Sequence, residues 1–303
     1  MSVAIGGLKL RNPVIAASGV VGYGVEYADL GVLDCFGAIV VKGTTLAPRA
    51  GNPPPRLAET PSGLLNSVGL ENPGVDAVIR EVIPRIPRTG ARIIVNVAGA
   101  TVDEYCRVAE KLDRVDDVDA LEINISCPNV RTGGIQFGTV PETSAALVEA
   151  VRKCTGKVLI VKLTPNTGSI CEVAKAVEQA GADAVSLINT ILGMAIDVQS
   201  RRPVLSTVFG GLSGPAVKPI ALRMVWQVSN EVTIPVVGMG GISEANDALE
   251  FLMAGASAVA VGTALLRNPR AGLEIVRGLE DWLVSEGMDD IRAVCGSAKA
   301  VRP

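Results

Sequence analysis

The chain has 303 residues, 48% of them hydrophobic and 19% charged, enough apolar material for a large buried core and too little polarity for disorder. Lys and Arg number 28 against 31 Asp and Glu, a net charge of -3 with no basic block, so nucleic acid and anionic membranes are not expected partners. Histidine is absent, so neutral-pH proton transfer must fall to Cys, Lys, Tyr or a carboxylate.

The first residues, Met1-Ser2-Val3-Ala4-Ile5-Gly6-Gly7, lack the basic start and apolar core of a signal peptide. No apolar run approaches the roughly 20 residues that span a bilayer, so a cytoplasmic protein is expected. Residues 3–10 read as a small hairpin placed to plug the bottom of a barrel. Eight apolar runs follow, at 13–19, 38–43, 92–98, 120–126, 158–163, 184–189, 235–241 and 258–264. Their hydrophobicity is continuous rather than alternating, as in strands buried on both faces. Helical patterns lie between most of them. Thr101 and Glu104 resemble a capping box, and Ser243 is placed to cap a helix bearing Ala245, Ala248, Leu249 and Leu252 on one face. The segments 180–185 and 254–259 repeat one device, a helix end, a glycine turn and a strand start.

Eight strands with alternating helices predict one TIM-type (β/α)8 barrel domain over 1–303. The alternative, a doubly wound open sheet, lacks the Gly-x-Gly-x-x-Gly that should follow an early strand. Two connections, 44–73 and 192–215, are unusually long and rich in Pro or Gly. Both leave the C-terminal ends of strands, where barrel enzymes work, and both are expected to be loops on that face.

The strand exits carry Ser18, Lys42, Asn96, Asn124 with Cys127, Lys162, Asn189 with Thr190, Gly240-Gly241 and Gly262-Thr263. Amides both donate and accept, as a planar polar ring requires. A buried Lys is rarely left unpaired, so Lys42 and Lys162 are each expected to face an anion. Glycines at the last two strand exits suit close approach of backbone to phosphate. Together these features suggest a phosphorylated cofactor over the barrel mouth, and FMN fits. The cysteines at 35, 106, 127, 154, 171 and 295 include no close pair, so neither a zinc site nor an iron–sulfur cluster is expected in this chain. Cys127, between polar residues and Pro128 at a strand exit, is the candidate base; the other five read as structural.

At Gly51-Asn52-Pro53-Pro54-Pro55-Arg56, Asn66-Ser67-Val68-Gly69-Leu70-Glu71-Asn72-Pro73-Gly74, Asn124-Ile125-Ser126-Cys127-Pro128-Asn129, Ile188-Asn189-Thr190 and Gly210-Gly211-Leu212-Ser213-Gly214, the sequence resembles class 1 dihydroorotate dehydrogenases. It is most similar to the catalytic subunit of the NAD-linked class 1B enzyme; the triple proline favours 1B over the fumarate-using class 1A. The resemblance implies that Cys127 takes a proton from C5 of dihydroorotate while a hydride passes from C6 to N5 of FMN. It implies substrate contacts at Lys42, Asn66, Ser67, Val68, Gly69, Leu70, Asn124, Asn189 and Thr190. It implies FMN contacts at Ser18, Lys42, Gly43, Asn96, Asn124, Lys162, Ile188, Gly214, Gly240, Gly241, Gly262 and Thr263. It also implies a second subunit carrying FAD and a [2Fe-2S] cluster, in a heterotetramer of two catalytic and two electron-transfer chains. Thr164 stands where the family more often has Ser. The rival readings are a related dihydropyrimidine dehydrogenase, a Schiff-base aldolase using Lys162, and a barrel kept only to dock its partner.

Overall fold

The computed structural model describes residues 1–126 and 137–300. The N-terminal hairpin is present as β1 (Val3–Ile5) and β2 (Leu8–Leu10), antiparallel with Val3 opposite Leu10. Both strands bury their first and last residues and expose the middle one. The hairpin lies under the barrel's N-terminal end: a side chain on Gly6 would strike Asp183, and Arg92 Nε donates to the Lys9 carbonyl at 3.3 Å.

All eight apolar runs become barrel strands. They are β3 (Val14–Ala16), β4 (Ala38–Thr44), β7 (Arg92–Val97), β8 (Ala120–Asn124), β9 (Val158–Lys162), β10 (Ala184–Leu187), β15 (Val236–Met239) and β16 (Ala258–Val261). Each pairs in parallel with its neighbour, and β16 closes the ring against β3, with Ala260 opposite Ile15. Most strands end before the apolar run does. The helices α2 (Val102–Asp113), α3 (Pro141–Arg152), α4 (Ile170–Gln179), α5 (Lys218–Val228), α6 (Ala245–Met253), α7 (Thr263–Arg267) and α8 (Ala271–Ser285) follow their strands as a (β/α)8 barrel requires. A shorter one, α1 (Val75–Ala77), opens an irregular helical stretch before β7.

The repeated glycine device has one physical form. After α4, Ala182 N donates to Val177 O and Gly181 N to Glu178 O; after α6, Ala256 N donates to Phe251 O and Gly255 N to Leu252 O. These are paired Schellman closures, and each needs a left-handed residue, supplied by Gly181 (φ 99°) and Gly255 (φ 111°). The caps differ slightly from expectation. Thr101 Oγ1 accepts from Glu104 N, but Glu104 reaches back to Ala100 N rather than to the cap residue. Before α6 the cap is Glu244, in a reciprocal box with Asp247, while Ser243 donates to Asp247 through both its amide and its hydroxyl.

The two long connections are not simple loops. The first contributes β5 (Leu57–Thr60) and β6 (Gly63–Asn66), and the second β11 (Ile191–Met194), β12 (Ile196–Asp197), β13 (Arg202–Pro203) and β14 (Phe209–Ser213). Four of these form one antiparallel sheet over the mouth, in the order β11-β14-β6-β5. Their glycines are there for close packing rather than for turns. A Cβ on Gly63 would lie 2.2 Å from Ser213 O, and one on Gly210 2.7 Å from Asn66 O. Among the described residues no helix is long and apolar enough to cross a membrane.

Candidate active site

Four consecutive strands build the floor of the mouth. Every second residue of a barrel strand points inward, and on β7 to β10 this brings Asn96, Glu122, Lys162 and Ser186 together. Asn96 stands opposite Glu122 in the ladder, and Lys162 stands opposite both Asn124 and Ser186. Asn96 Nδ2 donates to Glu122 Oε2 at 2.6 Å, and Ser186 Oγ donates to Glu122 Oε1 at 2.9 Å. Lys162 Nζ lies 3.8 Å from Glu122 Oε2 and donates to Ser18 Oγ at 3.2 Å. The expected cationic partner of a bound ring is therefore anchored on a buried carboxylate.

The exit of β8 is pinned from both sides. The Asn124 carbonyl accepts from Tyr105 Oη of α2 at 2.6 Å, and Asn124 Oδ1 accepts from Ser126 N at 3.1 Å. Ser126 Oγ in turn donates to the Lys162 carbonyl at 3.2 Å. Cys127, with Pro128 and Asn129, lies outside the described residues, one step beyond this anchored turn.

Lys42 lies near the end of β4, the strand beside β7. Among the described residues no carboxylate lies within 4.0 Å of its ammonium. It borders a cavity of about 320 Å³ shared with Tyr23, Arg49, Asn72 and Glu71, whose carboxylate is paired with Arg56. Burial pushes the Tyr23 hydroxyl up to about 12, so it stays a neutral phenol at ordinary pH. Segment 66–74 folds down beside Lys42. Asn66 Nδ2 donates to Gly211 O, and Asn52 Nδ2 to Ser67 O. Asn72 holds the far end by donating to Thr45 Oγ1 and Leu70 O, while its own oxygen accepts from Thr45 N and Gly74 N. Gly69 has φ 81° and lies so near Asn52 that a Cβ would come within 2.7 Å of it. A Cβ on Gly43 would meet Asn96 Oδ1 at 3.1 Å and Leu70 Cδ2 at 3.2 Å, so Leu70 sits over the floor beside Asn96. Ser67 Oγ is buried with no hydrogen-bond partner among the described residues, as expected of a group kept for a ligand. Asn189 and Thr190 join the set through Gly211, whose Cβ would stand 2.0 Å from Thr190 Oγ1.

The glycines gather at the opposite end. Gly214, Gly240 and Gly241 have φ of 94°, 127° and 80°. A Cβ on Gly241 would come within 2.9 Å of Gly214 O, so the two backbones touch. Thr263 Oγ1 donates to Ser213 Oγ at 2.8 Å, tying the exit of β16 to β14. Ile188 N donates to Met239 O, which fixes the exit of β10 against β15. Asp247 steadies the turn after the glycines by accepting from Ser243, Glu244 and Lys218. The first amides of α7 have no acceptor within their own helix. The donor set thus has a backbone cradle suited to a phosphate at one end and amides with a fixed ammonium at the other. These residues fit FMN.

The expected site residues placed above lie near the ends of barrel strands or on the two connections that follow β4 and β10. Glu122, Ser186, Asn72 and Asp247 were missed. Glu122 had a signal, since a charged residue inside a strand buried on both faces needs a reason. The thiols of Cys35 and Cys106 are pushed up to about 11, first by burial, and burial also raises those of Cys171 and Cys295. These four are poor nucleophiles at neutral pH. Among the described residues no three His, Cys, Asp or Glu side chains are grouped to hold a metal ion.

Comparison with known proteins bears directly on this geometry. A protein of Trichlorobacter lovleyi named Dihydroorotate dehydrogenase B (NAD(+)), catalytic subunit, is 56% identical over 297 residues, 98% of this chain and 98% of its own. Proteins of the same name from Desulforudis audaxviator and Geotalea daltonii are 56% and 54% identical, covering 98% and 99% of this chain and 97% and 98% of their own. The sequence profile described as Dihydroorotate dehydrogenase matches residues 1–283, which take in every strand of the barrel and both connections that form the sheet over its mouth. A match that continuous leaves one assignment: the chain belongs to the dihydroorotate dehydrogenase family.

Proposed function

We propose that the chain, as one FMN-binding barrel domain over 1–303, oxidises (S)-dihydroorotate to orotate in pyrimidine (UMP) biosynthesis. It does so as the catalytic subunit of a cytoplasmic, NAD-linked class 1B enzyme. The observation that carries this reading is the unequal treatment of the two strand-end lysines. Lys162 is held by Glu122, whereas among the described residues Lys42 has no carboxylate within 4.0 Å and so can answer a substrate's. A carboxylate distinguishes dihydroorotate from uracil-like dihydropyrimidines, so Lys42 favours the former.

Lys42 binds the substrate carboxylate, and a charge-assisted hydrogen bond there contributes about 1.5–3 kcal/mol. Asn66, Asn124, Asn189 and Thr190 hold the ring's amide edges, while Ser67, Val68, Gly69 and Leu70 close over it and exclude water. Ser18, Lys42, Gly43, Asn96, Asn124, Lys162, Ile188, Gly214, Gly240, Gly241, Gly262 and Thr263 would hold FMN, which when bound would supply the acceptor for the substrate's hydride. Cys127 removes the C5 proton as general base. Its free pKa of roughly 8.5 places it in reach of neutral pH with a cation nearby. Lys162 offers positive charge where negative charge develops. Electrons go on to NAD+ through a partner subunit bearing FAD and a [2Fe-2S] cluster, in a heterotetramer of two catalytic and two electron-transfer chains.

The test is to replace the base. Cys127→Ala is expected to keep FMN and lose most activity at pH 7, while Cys127→Ser retains a residue of activity that rises with pH. Oxidation of dihydroorotate by Cys127→Ala at the parent rate would show that another group takes the proton.

A further inference from the structure

Glu122 occupies a position that stability alone does not explain. It is 2% exposed and lies in the middle of β8, flanked by Leu121 and Ile123. Burying a carboxylate costs several kcal/mol even after relaxation, and a well-packed apolar residue is often as stable or more so. Its surroundings show what it does instead. Oε2 holds the Asn96 amide at 2.6 Å and Oε1 the Ser186 hydroxyl at 2.9 Å. Lys162, itself 5% exposed, stays 3.8 Å away. That is well beyond the roughly 2.7–2.9 Å of a charge-assisted hydrogen bond. The ammonium is therefore held in place by charge without being consumed by the contact, and it still reaches Ser18 Oγ at 3.2 Å.

We infer that Glu122 is a positioning residue for the flavin ring. From beneath the floor it aims Asn96 and Lys162 at the ring, and its negative charge offsets that of Lys162, lowering the flavin's midpoint potential. The inference rests on the FMN reading above. The sign follows from electrostatics in a medium of low polarity. Two-electron reduction adds negative charge to the ring, which Lys162 favours and Glu122 opposes. Removing Glu122's charge while keeping its shape therefore makes the flavin easier to reduce.

The experiment equilibrates the FMN-loaded chain with a redox dye of known potential and measures FMN affinity by equilibrium dialysis. Glu122→Gln is expected to bind FMN and, at fixed poise, to show a reduced-to-oxidised ratio raised at least about tenfold, an upward shift of about 30 mV for a two-electron couple. Glu122→Asp keeps the charge on a shorter arm. It is expected to hold the parent ratio within about threefold while binding FMN about tenfold more weakly. An unchanged ratio in Glu122→Gln, or equal shifts in both variants, would overturn the role of charge. Should Glu122→Gln not fold, Glu122→Asp carries the test alone, and parental FMN affinity there would overturn the positioning role. Failure of the parent chain itself to bind FMN would instead strike the underlying reading.

Discussion

Lys42 and Asp247 show how single charges are assigned to different tasks. Among the described residues Lys42 has no carboxylate within 4.0 Å, so Lys42→Ala is expected to raise the KM for dihydroorotate at least about tenfold, the loss of one charge-assisted hydrogen bond. FMN binding should weaken less, and a larger loss of FMN affinity than of substrate affinity would reverse the assignment. Asp247 is structural support for the glycine cradle. Burial acts to raise its carboxyl, but the Lys218 ammonium and the donors of Ser243 and Glu244 outweigh it and hold the group below its usual value of 3.8. A folded-state value below the unfolded one means that the stabilisation is present above about pH 4 and lost as pH falls through the folded value. Asp247→Asn is therefore expected to cost about 2 kcal/mol at pH 7. The gap to the parent should narrow at pH 3, as read by urea melts at both values. An equal gap at pH 3 would mean that shape rather than charge matters there.

At the scale of elements, the barrel strands were legible because parallel strands buried on both faces leave continuous runs such as Val158-Leu159-Ile160-Val161. The glycine closures after α4 and α6 were legible because only a left-handed residue makes that turn. The sheet over the mouth was not. Its strands are short, and Gly63, Gly193, Gly210 and Gly211 read as loop residues, although in the fold Gly63 and Gly210 let backbones pass within contact distance and Gly193 and Gly211 make room for the side chains of Leu65 and Thr190. The cap of α6 was misplaced by one residue because Ser243 and Glu244 both serve Asp247. In the site, the strand-exit lysines and amides could be found from the sequence. The role of Glu122 could not be found there, since its partners on β7 and β10 are distant in the chain. The sheet's tight fit gives a direct prediction. Gly211→Ala would drive a Cβ into Thr190 Oγ1, and overpacking of this kind costs about 1–3 kcal/mol. The expected result is a lower Tm together with a raised KM for dihydroorotate. A lower Tm with unchanged KM would detach this sheet from the substrate site.

For the whole molecule, the barrel sets one face apart for chemistry, with a polar floor, a glycine cradle and a cover made from two separated connections. The relatives are named as catalytic subunits of an NAD-linked enzyme. Expressed alone, this chain is expected to pass electrons from dihydroorotate to artificial dyes but not to NAD+, and to reduce NAD+ once joined by a partner bearing FAD and a [2Fe-2S] cluster. NAD+ reduction by the isolated chain would remove the need for that partner. The most direct measurement mixes the purified chain, saturated with FMN, with dihydroorotate in the absence of oxygen and follows absorbance near 450 nm. Full bleaching of the bound flavin, with one orotate formed per FMN and no response to dihydrouracil, is the expected result. A flavin that stays yellow with dihydroorotate, or bleaches equally with dihydrouracil, would contradict the assignment of this mouth to dihydroorotate.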